Sequence, residues 1–202
     1  MEEGRQDLKT YLAEHYEESI FSKRAADGDV VLHLHGGREV TGRLREIDPY
    51  SVAVEQNGVV EECKKLDIKF LYPADQAESV RSLLTVSARV RDLRLEPILA
   101  RGKRHHVKNR TLFPLMQERA VLLFTTLEGE ELRGIVGAIR RYEFVVLLKG
   151  GIPVTLMRHA LYDVRDKKKK SLLKAVVEPE SLVVRPQAVG KGRPVQRRGG
   201  LK

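Results

Sequence analysis

The sequence predicts a mainly β protein with helices, in which one small, strongly bent antiparallel sheet occurs twice. Short runs of alternating apolar and polar residues are separated by glycine-containing turns, which is typical of half-buried strands. This pattern is clearest over residues 121–164 and returns over residues 30–73. Six residues of the earlier stretch match residues of the later one at a constant distance of 92, as Gly37 matches Gly129 (129 minus 37). Two tandem copies of one β unit explain both observations.

The internal repeat can be followed residue by residue. The pairs separated by 92 are Gly37 and Gly129, Val40 and Leu132, Gly42 and Gly134, Leu44 and Val136, Ile47 and Ile139, and Tyr50 and Tyr142. After the second hairpin the distance becomes 93, as between Gly58 and Gly151 (151 minus 58) or Lys65 and Arg158 (158 minus 65). One residue inserted at a turn accounts for the change.

Length and composition set the limits of the fold. A chain of 202 residues holds one ordinary domain or two small ones, and the repeat favours two. With 42% hydrophobic residues and no Trp, we expect small aliphatic cores. The apolar runs are shorter than the roughly 20 residues that span a bilayer, and the acidic start does not resemble a signal peptide, so we expect a cytoplasmic protein without membrane contact. Neither the single Cys63 nor the pairs His33/His35 and His105/His106 has the partners of a metal site, so no metal is expected.

The positive charge is concentrated in two segments. Residues 165–202 contain 12 Lys and Arg against 3 Asp and Glu, a net charge of +9 that equals the charge of the whole chain. The body is therefore neutral, apart from an acid-free basic run that consists of Arg101, Lys103, Arg104, Lys108 and Arg110. Such segments capture phosphate backbones through counterion release, although the same composition also suits a solvated charged face.

The first 73 residues are predicted to form a helix and the first β unit. Leu8, Leu12, Tyr16 and Ile20 follow the i, i+4 spacing of one amphipathic helix over residues 5–25. Strands follow over residues 30–73, with a hairpin turn at Asn57-Gly58.

A helical and basic linker is predicted over residues 74–110, followed by the second β unit over residues 111–166. Residues 74–96 favour a helix that becomes extended near Val90 before Pro97 breaks the segment, and residues 111–119, with Pro114, favour a short helix at the entry to the second unit. Gly134 and Gly137 lie inside a strand pattern, where they permit a sharp bend. Residues 167–202 are predicted to be a basic, largely disordered tail with a possible strand at residues 182–184.

Several motifs of the second unit resemble one known family. They are Leu127-Glu128-Gly129, Leu132-Arg133-Gly134, the run from Tyr142 to Leu148, and Met157-Arg158-His159-Ala160-Leu161. Together they resemble the Sm fold as it occurs in the bacterial RNA chaperone Hfq family. The first unit is similar in its framework but has Leu66 in place of the His. The resemblance implies two tandem Sm-like barrels of five bent strands, each preceded by a helix.

The resemblance also implies a function and a site. Members of this family act in post-transcriptional regulation as RNA chaperones, and bind single-stranded, U-rich RNA near the pore of a ring. Arg158 and His159 would hydrogen-bond a base edge and its phosphate, and Phe144 would stack on a base. Lys65 and Tyr50 are the corresponding candidates in the first unit. The basic run and the tail lysines Lys167, Lys168, Lys169 and Lys170 would add phosphate contacts.

Other interpretations of these residues remain open. His159 could be a hydrogen-bonded structural histidine in a tight turn, and Tyr50 and Phe144 could belong to the core. His33 and Thr125 stand where the family has its adenine-stacking Tyr, so A-rich binding is not expected.

The resemblance implies self-association into a ring of six units, which for two units per chain means a trimer that forms a pseudo-hexamer. No catalytic motif is recognisable, so we expect a non-enzymatic protein without a cofactor. The alternative is an Sm-fold scaffold for protein interaction or assembly, with reduced or tail-only binding of nucleic acid.

Overall fold

The structure of the protein is a computed structural model, and it describes residues 6–173. Most of the predicted disordered tail, including the possible strand at residues 182–184, lies outside the described residues. Five α-helices are present in the described part, namely α1 (Leu8–His15), α2 (Ile20–Asp27), α3 (Ala77–Leu83), α4 (Ala88–Arg91) and α5 (Asn109–Gln117). None of the helices in this range is long and apolar enough to cross a membrane.

Eleven strands of the described residues form a single antiparallel sheet, which confirms the prediction of a mainly β protein with helices. The strands are β1 (Asp29–Leu34), β2 (Glu39–Ile47), β3 (Ser51–Gln56), β4 (Val59–Lys64), β5 (Ile68–Pro73), β6 (Thr85–Val86), β7 (Val121–Thr126), β8 (Glu130–Ile139), β9 (Glu143–Leu148), β10 (Pro153–Met157) and β11 (Leu161–Arg165). They pair in the order β11-β7-β8-β9-β10-β5-β1-β2-β3-β4, and β6 attaches to β8. The sheet is open, because its end strands β4 and β11 do not pair with each other within the described chain.

The two halves of the sheet repeat the same pairing. The first group has the order β5-β1-β2-β3-β4, and the second has the order β11-β7-β8-β9-β10. Their registers also coincide, since Val30 pairs with Gly42 while Leu122 pairs with Gly134, each 92 positions later. The β10 strand of the second group pairs with β5 of the first through Thr155 opposite Leu71 and Leu156 opposite Phe70. This junction makes the two groups one continuous sheet.

Equivalent glycines bend the long second strand of each group. A Cβ atom at Gly42 would overlap the carbonyl oxygen of Glu55, and one at Gly134 would overlap the carbonyl oxygen of Leu147. The register of β2 with β3 shifts after this point, and that of β8 with β9 does the same. The close approach of neighbouring backbones explains why glycine is needed at both places.

The N-terminal region differs from the prediction of one helix over residues 5–25, because it contains two helices, α1 and α2, with a break over residues 16–19. Tyr11 on α1 packs in the core of the second group, whereas Ile20 and Phe21 on α2 pack in the core of the first. The Ile20 N–H, at the start of α2, donates to the Glu143 carboxylate at 3.2 Å. One straight helix cannot serve both cores, and tertiary packing therefore overrides the continuous amphipathic pattern.

The linker also differs from the prediction of one helix that continues from residue 74 until it becomes extended near Val90. It consists of α3, the two-residue strand β6 and the single turn α4. Thr85 and Val86, both β-branched, pair with the start of β8 and interrupt the helix. The short helix at the entry to the second unit is confirmed as α5, whose Leu112 and Phe113 are buried.

Candidate nucleic-acid interface

Arg158 lies in a 3-10 turn (Arg158–Ala160) between β10 and β11, and its side chain is bound within the protein. Its Nε donates to the Arg140 carbonyl at 2.9 Å, and its Nη2 donates to Asn109 Oδ1 at 2.8 Å. The guanidinium lies 4.2 Å from the centroid of the Phe144 ring. Burial lowers the pKa of Arg158 to about 10, so the group stays charged at neutral pH. Arg158 therefore holds the loop before β9 in place.

His159 connects the two strand groups. Its Nε2 is 2.9 Å from the carbonyl oxygen of Ile68 in β5, which places an N–H on Nε2. Burial, with a contribution from the charge of Arg104, lowers the pKa of His159 to about 4. This geometry matches the interpretation of His159 as a hydrogen-bonded histidine in a tight turn.

Phe144 and Lys65 are also engaged within the chain. Phe144 is fully buried beside Phe124, and the Arg158 guanidinium lies over its ring, so the ring is not exposed for a base to stack on. Lys65 Nζ donates to the Asp48 carbonyl oxygen and lies 5.2 Å from the centroid of Phe21. The Lys65 contact repeats the contact of Arg158 with Arg140, because 140 minus 48 is 92. In each unit, the basic residue thus donates a hydrogen bond to a backbone carbonyl in the loop that follows the long second strand of that unit.

Two exposed tyrosines occupy equivalent positions in the two units. Tyr50, between β2 and β3, is 85% exposed, and Tyr142, between β8 and β9, is 54% exposed. The guanidinium of Arg141 lies 5.4 Å from the centroid of Tyr142. Exposed aromatic rings beside cations form platforms on which nucleobases stack. Tyr142 is absent from the predicted contacts, although its repeat relation to Tyr50 is the signal that identifies it.

Acidic side chains of the break between α1 and α2 form ion pairs with the two arginines of the loop between β8 and β9. Arg140 forms an ion pair with Glu18 and donates to the His15 carbonyl at 2.7 Å. Arg141 Nη1 donates to the Glu17 carboxylate at 2.9 Å. Because Arg141 and Glu17 are both exposed, their pair is weak and open to exchange with other anions.

The predicted basic run of the linker lies against the second unit. Arg101, Lys103 and Arg110 are exposed, whereas Arg104 donates to the carbonyls of Ile98 and Leu99 at 2.8 Å each. Lys108 is half-buried at the start of α5. His105 Nδ1 is 2.7 Å from the Tyr162 carbonyl oxygen of β11. The structure thereby brings this run beside the turn that holds Arg158 and His159.

The lysines at the start of the predicted tail follow β11 directly. Lys167, Lys168, Lys169 and Lys170 are all exposed. Asp166 holds their turn, because its Oδ1 accepts from the backbone N–H groups of Lys168 at 2.8 Å and Lys170 at 2.9 Å. Four cations therefore project from a fixed turn at the end of the second unit.

A buried ion cluster fixes the junction between the two units. Lys69 on β5 is only 1% exposed, and its Nζ donates to the carboxylates of Glu128 and Glu130. Glu128 also accepts from the Gly36 N–H at 2.5 Å, and Glu130 accepts from the Thr126 hydroxyl. Burial acts to raise the pKa of Glu128, but the bonds from Lys69 and Gly36 outweigh it and hold that pKa below its usual value. The sequence offers one signal for this cluster, a lysine inside an otherwise apolar strand.

Residues 6–173 contain no group of three or more His, Cys, Asp or Glu side chains that could hold a metal ion. Comparison with protein-family models, with curated proteins and with solved structures finds no match to this chain.

Proposed function

We propose that the protein is a non-enzymatic RNA-binding protein of the Hfq-like class, with two Sm-like units in each chain. The observation that carries the proposal is the pair of exposed tyrosines at the same loop of two units with the same strand order and register. Single-stranded RNA would stack its bases on Tyr50 and Tyr142, since every base has a π face that an aromatic ring can cover. The exposed cations of the linker and of residues 167–170 would hold the phosphates.

The residues of the proposed uracil pocket take a supporting role. Arg158 holds the loop that presents Tyr142, and His159 holds the turn next to it. Direct contact of Arg158 with RNA requires that its bonds to Arg140 and Asn109 be exchanged for bonds to the nucleotide. The proposed preference for U-rich RNA therefore rests on the resemblance to the Hfq family.

A ring of three chains is part of the same proposal. The junction of β10 with β5 serves as the template for a junction between chains, because β4 and β11 are the repeat equivalents of these strands. Transferring its register by 93 places Glu62 (155 minus 93) opposite Val164 (71 plus 93) of the next chain. It also places Cys63 opposite Asp163. Three chains joined in this way would close a pseudo-hexamer and leave no open strand edge, which removes an aggregation hazard.

The test of RNA binding uses Tyr50→Ala/Tyr142→Ala, with Tyr50→Phe/Tyr142→Phe as the matched control that keeps the rings. Affinity for a U-rich and an A-rich oligonucleotide would be measured by fluorescence anisotropy at two salt concentrations. A stacked base contributes about 1–3 kcal/mol by truncation, so the alanine variant should lose at least about fivefold in affinity while the phenylalanine variant retains it. Equal affinity of the alanine variant and the wild type would contradict the stacking platform.

A second candidate is an Sm-fold scaffold for protein interaction or assembly, with reduced or tail-only RNA binding. The engagement of Arg158, His159 and Phe144 within the chain favours it. No measurable affinity for any RNA at low salt would support this scaffold. Loss of all binding on truncation after Asp166 would restrict RNA contact to the tail.

A further inference from the structure

The two ends of the sheet differ in how their outer edges are covered. At one end, β4 pairs with β3, and no other described strand covers its outer edge, where Val59 and Val60 are 70% and 60% exposed. At the other end, the chain folds back onto β11. Ser171 pairs with Arg165, and the Leu172 N–H donates to the Val164 carbonyl at 2.8 Å. We call residues 166–173 the edge cap.

Side-chain bonds hold the edge cap in place. Asp163 Oδ1 accepts from the Val164 N–H at 2.8 Å and from the Ser171 hydroxyl at 2.6 Å. Leu172 and Leu173 pack against the core of the second unit. The N–H and C=O of one residue in an antiparallel strand point to the same edge, so both outward groups of Val164 are occupied.

The equivalent edge in the first unit has no such cover. Leu71, the counterpart of Val164 (164 minus 93), pairs with Thr155 of β10. Phe70 stands in the place of Asp163 (163 minus 93), and therefore supplies no carboxylate to a neighbouring N–H. After Pro73 the chain turns away into a 3-10 turn at residues 74–76. The same edge is thus used for strand pairing in one unit and covered by the chain itself in the other.

We infer that the edge cap, which bonds the Val164 carbonyl and the Asp163 carboxylate, competes with β4 of a second copy of this chain for the outer edge of Val164. The inference rests on the proposed ring, whose register places Glu62 of the next chain opposite Val164. The occupant is a second copy because the chain already contains this junction once, between β10 and β5, and because its own β4 is left with an open edge. Release of the cap is then the step that allows chains to join.

The junction between chains has fewer specific bonds than the junction within a chain, so the cap can compete with it. His159, which bonds the Ile68 carbonyl at the internal junction, has Leu66 as its counterpart. Leu66 has no donor for the equivalent carbonyl. We therefore expect reversible, concentration-dependent assembly in which removal of one bond from the cap has a measurable effect.

The experiment compares Leu172→Pro with Leu172→Ala in the full-length chain. Both variants lose the packing of the Leu172 side chain, but only the proline removes the N–H that bonds Val164. Sedimentation velocity over a concentration series would give the midpoint of association. One hydrogen bond corresponds to about a two- to twelvefold change in an equilibrium constant. The proline variant should associate at a midpoint lower than that of the alanine variant by about this factor.

The outcomes separate the edge cap from the ring. A lower midpoint for Leu172→Pro supports the cap, and equal midpoints for the two variants overturn it while the ring stands. If the wild type and both variants remain monomers at every concentration, the ring and the cap both fall. If the proline variant does not fold, Ser171→Ala, which removes the hydroxyl donor to Asp163, replaces it and should shift the midpoint in the same direction. RNA affinity is measured separately through the tyrosine variants.

Discussion

Replacement of Lys69 by methionine tests how the two units are held together. Methionine keeps most of the length and volume of the side chain but removes the ammonium that Glu128 and Glu130 share. Removing one partner of a buried ion pair costs about 3–5 kcal/mol, because the remaining charge is left uncompensated. Domains of this kind have a total stability of about 5–15 kcal/mol, so the loss should be a large fraction of it.

The assay is urea denaturation at 25 °C, followed by circular dichroism at pH 7 and near pH 3.5. The matched control is the triple variant Lys69→Met/Glu128→Gln/Glu130→Gln, which removes the unpaired charges and should recover most of the lost free energy of unfolding. The pKa of Glu128 is depressed in the folded state, so its contribution is present above its usual value of 4.5 and is lost as the pH falls through the folded value.

The pH dependence gives a second check on the same variant. In Lys69→Met the ammonium that lowers the pKa of Glu128 is absent, so burial raises that pKa relative to the wild type and the Glu128 carboxyl is neutralised more readily as the pH falls. The difference in stability between the wild type and the variant should therefore be smaller at pH 3.5 than at pH 7. A loss below about 1 kcal/mol at pH 7, or an equal loss at both pH values, would refute the assignment of the cluster as the main ionic lock of the junction.

Three further predictions concern RNA access, assembly and pH. Glu17→Gln should tighten RNA binding and steepen its salt dependence, because it frees the exposed Arg141 that this carboxylate holds; unchanged anisotropy curves would contradict this. Under oxidising conditions Asp163→Cys should form an intermolecular disulfide with Cys63 on a non-reducing gel, whereas Asp163→Ser should not. The pKa of His159, about 4, lies below its usual 6.5, so protonation favours the unfolded state between these values. Wild-type Tm should therefore fall from pH 7 to pH 4.5 by more than that of His159→Gln.

Features that depend on short stretches of chain could be predicted from the sequence. The turn at Asn57-Gly58 has both residues at positive φ, as a two-residue hairpin requires. The distance of 92 between Gly42 and Gly134 reappears as the same close backbone approach in both units. Alternation, turn residues and glycine constraints are local properties, and the strand pattern follows from them.

Features that depend on neighbours distant in the chain could not be predicted. The break after α1 arises because α1 and α2 pack on different cores, which the continuous i, i+4 pattern over residues 5–25 does not reveal. From the sequence alone, Phe144 could be either a residue on which a base stacks or a core residue. In the structure the Arg158 guanidinium lies over its ring and covers it. The pairing of β10 with β5 needs the three-dimensional arrangement of both units, since strands of either unit have the same alternation.

The two units of a chain differ most at the residues through which units pair, and this difference decides at which junctions the proposed ring separates. At the internal junction Lys69 binds Glu128 and Glu130, whereas the equivalent positions of a junction between chains are Tyr162 (69 plus 93), Gly36 (128 minus 92) and Arg38 (130 minus 92). No ion cluster can form from those three residues, because none of them carries a carboxylate. Dilution of the proposed ring should therefore separate it at the junctions between chains and leave the junction between the two units of each chain intact.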